Sequence, residues 1–508
     1  MKRFARAVTL LLGVGMTLSL LSCGKSANGQ AGGTKGSGQY QEKIVIGTPL
    51  DVTTTDPQGS NTDSNMILFC MTHETLVELD PKSGNVIPGL AEFEIVDGYT
   101  FKFKLPAKAT FTNGTPCTAN DVKFTLDRAM KSSFTKPKLK LITAIEVLND
   151  QELIIRISQP SQEFLTSLAH RSLSILSEAS LTANEKGYDI GTGMYYLKEW
   201  IPGDHLTVER YEEYRNGPAK TKNIELRLMK EDSARVIALQ TGEIDVCIDP
   251  PSVELNYIAN DKKLALVQVP NVIMLYIAMN NTKAPFDNPK VRQALASAVN
   301  KEKLIQAGYN GQGTVHNNYI NRGQFGLDDK LTGYDNDIEK AKALLAEAGY
   351  PNGFEFELAY NGSAKVLIAT VLQEDFAKIG VKVKLSEMES AALKAMLNEK
   401  KHSAALYQWT DADGTDFTVR SMYYSGSGSN RSLIADKALD KMIDEALVEA
   451  DAAKRAQKYN LIEKYLKDAC PIIPICTSII NVGTRASVTG VNWMSTAKHD
   501  YRQIYISK

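Results

Sequence analysis

The densest chemistry in this 508-residue chain lies in residues 408–417, where Gln408 and Trp409 precede Asp411, Asp413 and Asp416, and Phe417 closes the run. Three carboxylates between two aromatic rings, with no basic residue before Arg420, make a negative pocket with an apolar wall. Such a pocket suits an amine or another cation. The same residues also fit a solvated acidic turn followed by a packed phenylalanine. Calcium is a third occupant, although the spacing departs from the EF-hand order and offers few oxygen ligands. A buried strand predicted at residues 404–407 runs straight into this loop, and open α/β sheets bind ligands just beyond the carboxyl ends of their strands.

Signatures of enzyme chemistry are missing elsewhere. No Walker A, HExxH or GxSxG pattern occurs, and Gly191-Thr192-Gly193 is a lone GxG that reads as a turn. His73, His170, His205, His316, His402 and His499 are scattered, so neither a metal set nor a general base is visible. Beyond Cys23 the cysteines are Cys70, Cys117, Cys247, Cys470 and Cys476, an odd number without metal-ligand spacing. Pro471 and Pro474 favour an extended path between the last two, too long for a bridge, so free buried thiols are expected. The reading is a binding protein with no catalytic residue, no metal and no cofactor.

The elements that must position the acidic loop follow from periodicity. Tyr99, Phe101, Phe103 and Leu105 alternate with polar residues as in a half-buried strand. Asn113-Gly114 predicts a tight hairpin, and Thr118 with Asp121 three positions on predicts a capped helix start. From about residue 280 strands alternate with helices, the mark of βαβ units. Asn288 and Pro289 start a helix carrying Val291, Leu295, Val299 and Leu304 that Gly308 ends. Asp337 starts another, stopped at Gly349. Strands at residues 354–358 and 381–385 flank a helix over residues 363–378, which predicts a parallel pair with a right-handed crossover.

The chain begins with an address. Lys2, Arg3 and Arg6 precede an uncharged, mostly apolar run at residues 7–21, which at about 1.5 Å per residue is too short to span a bilayer as a helix. Leu20-Leu21-Ser22-Cys23 resembles a bacterial lipoprotein box, in which the cysteine is acylated after cleavage; an ordinary signal peptide is the alternative. Residues 24–39 are rich in Gly and Ser with nothing to bury, the composition of a flexible tether. The whole chain holds 58 basic and 59 acidic residues, and removing residues 1–22 takes away three basic ones and no acidic one. That slightly acidic balance excludes nucleic acid as a partner.

Several blocks, in order, resemble the extracellular solute-binding proteins of ABC transporters, family 5, which include oligopeptide-, dipeptide- and nickel-binding members. Phe111-Thr-Asn-Gly114-Thr-Pro116-Cys-Thr-Ala119-Asn-Asp121-Val122 is similar to FxxGxPxTAxDV, and Gly191-Thr-Gly193-Met-Tyr195 to GTGPY. Residues 284–295 resemble PPFxDxxVRxAL, and residues 341–351 resemble AxxLLxxAGY. The resemblance implies an α/β fold, a two-lobed periplasmic-binding-protein clamp of class II with three domains and mixed sheets flanked by helices. Residues 1–22 would be the signal peptide and 23–41 the tether. Domain I would comprise 42–78, 187–269 and 477–508, domain II 79–186, and domain III 270–476, with chain crossings near Val269-Pro270 and Ile475-Cys476.

It further implies a monomeric, non-enzymatic receptor, exported and held to a membrane through Cys23, that closes on a peptide or other small solute and delivers it to permease subunits. In peptide-binding relatives an aspartate after the tryptophan pairs with the ligand's amine; Trp409 matches, with Asp411 and then Asp413 as the aspartate. No arginine stands at residues 359–364, where dipeptide binders receive the carboxylate, and Lys365 is the nearby cation. That speaks against a strict dipeptide site and leaves longer peptides open. Oligosaccharide or nickel-complex binding, or a surface sensor or chaperone-like role without transport, are the alternatives.

Overall fold

A computed structural model describes residues 39–508 apart from 61, 81–85, 133, 162–163, 410–413, 450 and 496–498, and only the backbone of 185, 186, 363 and 364. The leader, Cys23 and nearly all of the tether lie outside the described residues. Among the described residues no helix is long and apolar enough to cross a membrane.

Two long strands organise residues Tyr40–Lys508, one at Leu264–Met279 and one at Ile472–Arg485. They pair antiparallel from Leu264 opposite Arg485 to Ala278 opposite Ile472. On one flank stand Ala404–Trp409, Glu355–Tyr360 and Lys382–Glu387; on the other stand Val246–Ile248, Lys43–Thr48, Asn223–Leu228, His205–Arg210 and Tyr195–Ile201, with Gly313–Val315 also on the second long strand. Eleven strands thus share one mixed sheet.

Side-chain alternation lets the first long strand serve two cores. Leu275, Ile277 and Met279 join the core of Val291, Leu358, Ile368 and Phe376, whereas Met274, Tyr276 and Ala278 join that of Val419, Leu439 and Ile462. Its earlier half packs elsewhere, with Leu264 against Val236, Leu239 and Ile258. Between the halves the ladder is interrupted: Pro270 faces Ile479, Met274 faces Thr477, and the residues between have no paired register. Pro270 has no N–H to give, and Asn271 Oδ1 takes the Ile273 N–H at 2.9 Å, which turns the chain locally. Cys476 pairs with Leu275, so the interruption falls just beyond it. Within the gap Asn271 Nδ2 donates to Ser478 Oγ at 3.2 Å, and just before it Gln268 Nε2 donates to Gln312 Oε1 at 2.7 Å and Asn481 Oδ1 at 2.9 Å.

A separate four-stranded antiparallel sheet, Glu92–Asp97, Thr100–Lys104, Glu152–Ile157 and Ile142–Val147, carries helix Ala119–Ala129 and its own core around Phe101, Phe103, Val122, Leu126 and Ile155. The capping box at Thr118 and Asp121 is present. Asn113-Gly114 forms a tight turn, closed by the Phe111 N–H on Thr115 O at 2.8 Å, but only one bridge, Thr110 to Pro116, follows it. Pro116 cannot donate to a ladder, so the expected hairpin stops at its turn. Gly191 and Gly193 also mark a turn, where an added Cβ would lie 2.1 Å from Thr72 O and 2.4 Å from Met71 O.

The helix expected from Asn288 to Gly308 is two helices, Pro289–Ala298 and Lys301–Tyr309. Asn300 breaks it, because its side chain caps the Lys303 N–H at 2.9 Å and its own N–H goes to Asp375 Oδ2 at 3.1 Å. Asn310, left-handed at φ 48°, ends the second helix. The crossover prediction holds for pairing: Glu355–Tyr360 and Lys382–Glu387 run parallel, with helix Ser363–Ala377 between them in sequence. All five described cysteines are free and buried.

Ion pairs run from the segment of residues 56–78 to the small sheet's unit on one side and to the rest of the body on the other. Arg128 pairs with Asp56 at 2.6 Å, and the Arg215 guanidinium grips Glu74 at 2.5 and 2.7 Å. Glu78 takes Arg502 at 2.7 and 2.8 Å and Arg171 at 3.1 Å. The start of this body meets its carboxyl-terminal residues: Tyr40 bridges Ser507, the Gln41 N–H donates to Ile506 O at 2.8 Å, and Lys220 lies 3.7 Å from the Tyr505 ring centroid.

Burial alone would raise the Glu78 carboxyl, but Arg171 and Arg502 overcome it and hold the group down at about 2, against an ordinary 4.5. A depressed carboxyl stabilises the fold above its unfolded value and loses that contribution as pH falls through the folded one. Glu78→Gln is therefore expected to cost about 3 kcal/mol at pH 7. In urea unfolding at a series of pH values, the penalty should shrink between pH 4.5 and pH 2.

Candidate functional site

The loop singled out by its chemistry lies at the end of strand Ala404–Trp409. That strand runs parallel to Glu355–Tyr360 and antiparallel to the first long strand, where Trp409 faces Met274 beside the interruption. Trp409 is buried; its indole N–H donates to Thr418 Oγ1 at 3.2 Å, and its ring stacks on Phe417 with centroids 6.2 Å apart. Asp411 and Asp413 lie outside the described residues. Gly414, at φ 124°, opens helix Thr415–Tyr423, and Asp416 and Phe417 occupy its first turn.

Asp416 is only 6% exposed. Burial raises its carboxyl to about 6, against the pull of Arg455 and Arg420. Arg420 pairs with Asp444 at 2.7 Å and lies 4.5 Å from the Tyr424 ring centroid. Arg455 lies over the half-exposed Phe325 ring at 4.5 Å. Two cations thus flank one carboxylate in a setting with aromatic walls.

A pocket of about 170 Å³ opens beside this helix. One wall is Asp416, Phe417 and Arg420; the other comes from the small-sheet unit, chiefly Lys138, Lys140 and Phe164. Its lining therefore joins residues far apart in sequence, a mix of apolar surface with a few charged and hydroxyl groups that suits a polar organic solute. Lys365 is half-buried, its amine 3.3 Å from Asn361 Oδ1, and burial lowers its pKa. Among the described residues no three His, Cys, Asp or Glu side chains converge to hold a metal.

The sequence marked Trp409 and the acidic run but gave no sign of what supports them. Gln324 Nε2 donates to Gly414 O at 3.1 Å and to Thr418 Oγ1 at 3.0 Å, and Thr415 Oγ1 donates to Phe325 O at 2.6 Å. Arg292, read only as part of a family block, donates to Phe286 O, Ala469 O and Cys470 O. It caps the carboxyl end of helix Ala452–Ala469 from within the core and, among the described residues, pairs with no carboxylate.

Since the Asp416 carboxyl stands above its ordinary 3.8, its charged form is disfavoured in the fold, and stability falls as pH rises from about 3.8 through about 6. Asp416→Asn should remove that slope. The variant is expected to gain about 2 kcal/mol at pH 8 and nothing at pH 4 in urea unfolding of the solute-free protein.

The family model of bacterial extracellular solute-binding proteins, family 5, matches residues 85–431. The chain is 27% identical over 470 residues to the glutathione-binding protein GsiB of Escherichia coli strain K12, covering 88% of this chain and 91% of that one. It is 28% identical over 475 residues to the dipeptide-binding protein of the same strain, covering 85% and 89%. Among solved structures, HbpA2 from Haemophilus parasuis superposes with a TM-score of 0.83 at 26% identity, over 91% of this chain and 99% of the other. The fold is the two-lobed α/β clamp of periplasmic binding proteins.

Proposed function

This chain belongs to the bacterial extracellular solute-binding proteins, family 5, the substrate-binding components of ABC importers, and from that premise we propose that it is a lipid-anchored receptor for an oligopeptide or related amine-bearing solute. One observation carries the reading: the pocket lined by Asp416 and by Phe417, the ring on which Trp409 stacks, takes its walls from both the small-sheet unit and helix Thr415–Tyr423. A solute there touches two bodies at once, and only such differential contact shifts a clamp toward closure.

In this reading residues 42–78, 187–269 and 477–508 form domain I, 79–186 domain II and 270–476 domain III. The separate core of the small sheet and the interrupted ladder at Pro270 and Met274 support these divisions. Trp409 forms a wall, and Asp411, with Asp413 as alternative, receives the amine. Lys365, tucked against Asn361, is the lone cation near the position where dipeptide binders carry an arginine, which favours peptides longer than two residues. The receptor makes and breaks no bond, acts as a monomer, is exported, and is tethered at acylated Cys23 beside the permease it serves.

Titration calorimetry and thermal shift with peptides of two to eight residues test the solute class. A cognate peptide at a hundred times its Kd should stabilise the protein by about 2.7 kcal/mol. Asp411→Ala should weaken it by ~2 to 5 kcal/mol, because the ammonium would be left unpaired. Stabilisation by glycans alone would replace the peptide reading. Separately, Cys23→Ser should move the protein from the membrane fraction to the soluble fraction of the host's envelope.

A further inference from the structure

Glu463 sits on helix Ala452–Ala469 with no exposed surface. Four N–H groups converge on it: Oε1 accepts from Tyr319 N at 2.9 Å and Ile320 N at 3.3 Å, and Oε2 from Asp328 N at 2.7 Å and Asn318 Nδ2 at 3.0 Å. No Lys or Arg pairs with it among the described residues; the neighbouring Lys464 goes instead to Asp328 at 3.9 Å. A fully buried carboxylate without a cation is costly unless its lone pairs are filled, and here donors fill both oxygens. Burial still leaves the group above its ordinary pKa.

The donors are not scattered. They are the two feet of one loop, residues 318–320 and 328, and between the feet the loop reaches the ligand side. Gln324, held by the Asn321 N–H on its Oε1 at 3.1 Å, donates to Gly414 O and Thr418 Oγ1; Phe325 O accepts from Thr415. Thr418 Oγ1 is also the acceptor of the Trp409 indole. Asn460, one turn earlier on the helix, adds a contact to Gly326 O at 2.8 Å.

We infer that Glu463 is a positioning residue for the solute site: it seats the loop of residues 318–328 at both feet, and through Gln324 that loop fixes the first turn of helix Thr415–Tyr423 and Thr418, to which Trp409 is bonded. This rests on the reading of the Trp409 pocket as the solute site. Glutamine cannot replace the group, since its NH₂ would face one pair of donors.

Hydrogen exchange of the solute-free protein tests it, so failure here is distinct from failure of the peptide assignment. In Glu463→Gln the amides of Tyr319, Ile320 and Asp328 should exchange about 10-fold faster or more, and so should Thr418, whose N–H bonds Gly414 O at 3.0 Å. Gln324→Ala, which leaves the carboxylate seated, should accelerate Thr418 and Asn321, whose N–H loses the Gln324 Oε1 acceptor, but not Tyr319, Ile320 or Asp328, and the double variant should add nothing further at Thr418. Asp375→Asn, altering another fully buried carboxylate that holds Asn300 N, should leave Thr418 unchanged. An unchanged Thr418 amide in Glu463→Gln, or in Gln324→Ala should the first variant fail to fold, overturns the inference. Additive acceleration in the double variant overturns it too.

Discussion

Everything in this chain hangs on the pairing of two strands distant in sequence, Leu264–Met279 with Ile472–Arg485. Their ladder joins strands from both ends of the chain into one sheet, yet it is broken between Pro270 and Met274. Backbone hydrogen bonds resist bending where they are regular; where proline withholds a donor and Asn271 turns the chain on itself, they do not. The sheet is thus stiff on either side of a short compliant stretch. Trp409 faces Met274 at its edge, so the indole that stacks on Phe417, a lining residue of the pocket, stands beside that stretch.

Rigidity elsewhere is what makes that compliance useful. Guanidinium groups tie Asp56, Glu74 and Glu78 both to the small sheet's unit, through Arg128 and Arg171, and to the rest of the body, through Arg215 and Arg502, so charge-assisted bonds join the two cores. On the other side Arg292 and Glu463 do the corresponding work inside helical packing, each satisfied by neutral and chiefly main-chain groups, with no opposite charge paired to either among the described residues. Both are buried polar groups that hold backbone segments at fixed places in a core.

Local signals in the sequence carried well. Thr118 with Asp121, Asp337 with Gly349, and the alternation around Phe101 and Phe103 each concern groups a few residues apart, and each appears as expected. Asn300 was hidden because apolar spacing continues through it, from Leu295 and Val299 to Leu304, and a cap in mid-pattern looks like a solvated polar residue. The union of eleven strands was not legible, since pairing 200 residues apart leaves no periodic trace. Glu463 was not legible for a different reason: a Glu beside Lys464 on an amphipathic helix reads as solvent-facing, and only the returning loop buries it. Trp409 and the acidic run could be singled out by composition, and the resemblance supplied their context. Their scaffold, Gln324 and Thr418, needed contacts across 94 residues.

The bonding of Tyr40 and Gln41 to the carboxyl-terminal residues has a mechanical consequence. Tension applied ahead of Tyr40 enters the body where Tyr40 and Gln41 bond the last residues of the chain, with Lys220 lying over the Tyr505 ring. From there it runs along Lys43–Thr48, which is flanked on both sides by parallel partners and is therefore loaded in shear across many bonds at once. None of that path crosses the compliant stretch at Pro270. A body dragged by its leading end would keep its shape, and the interrupted ladder would stay insulated from the pull.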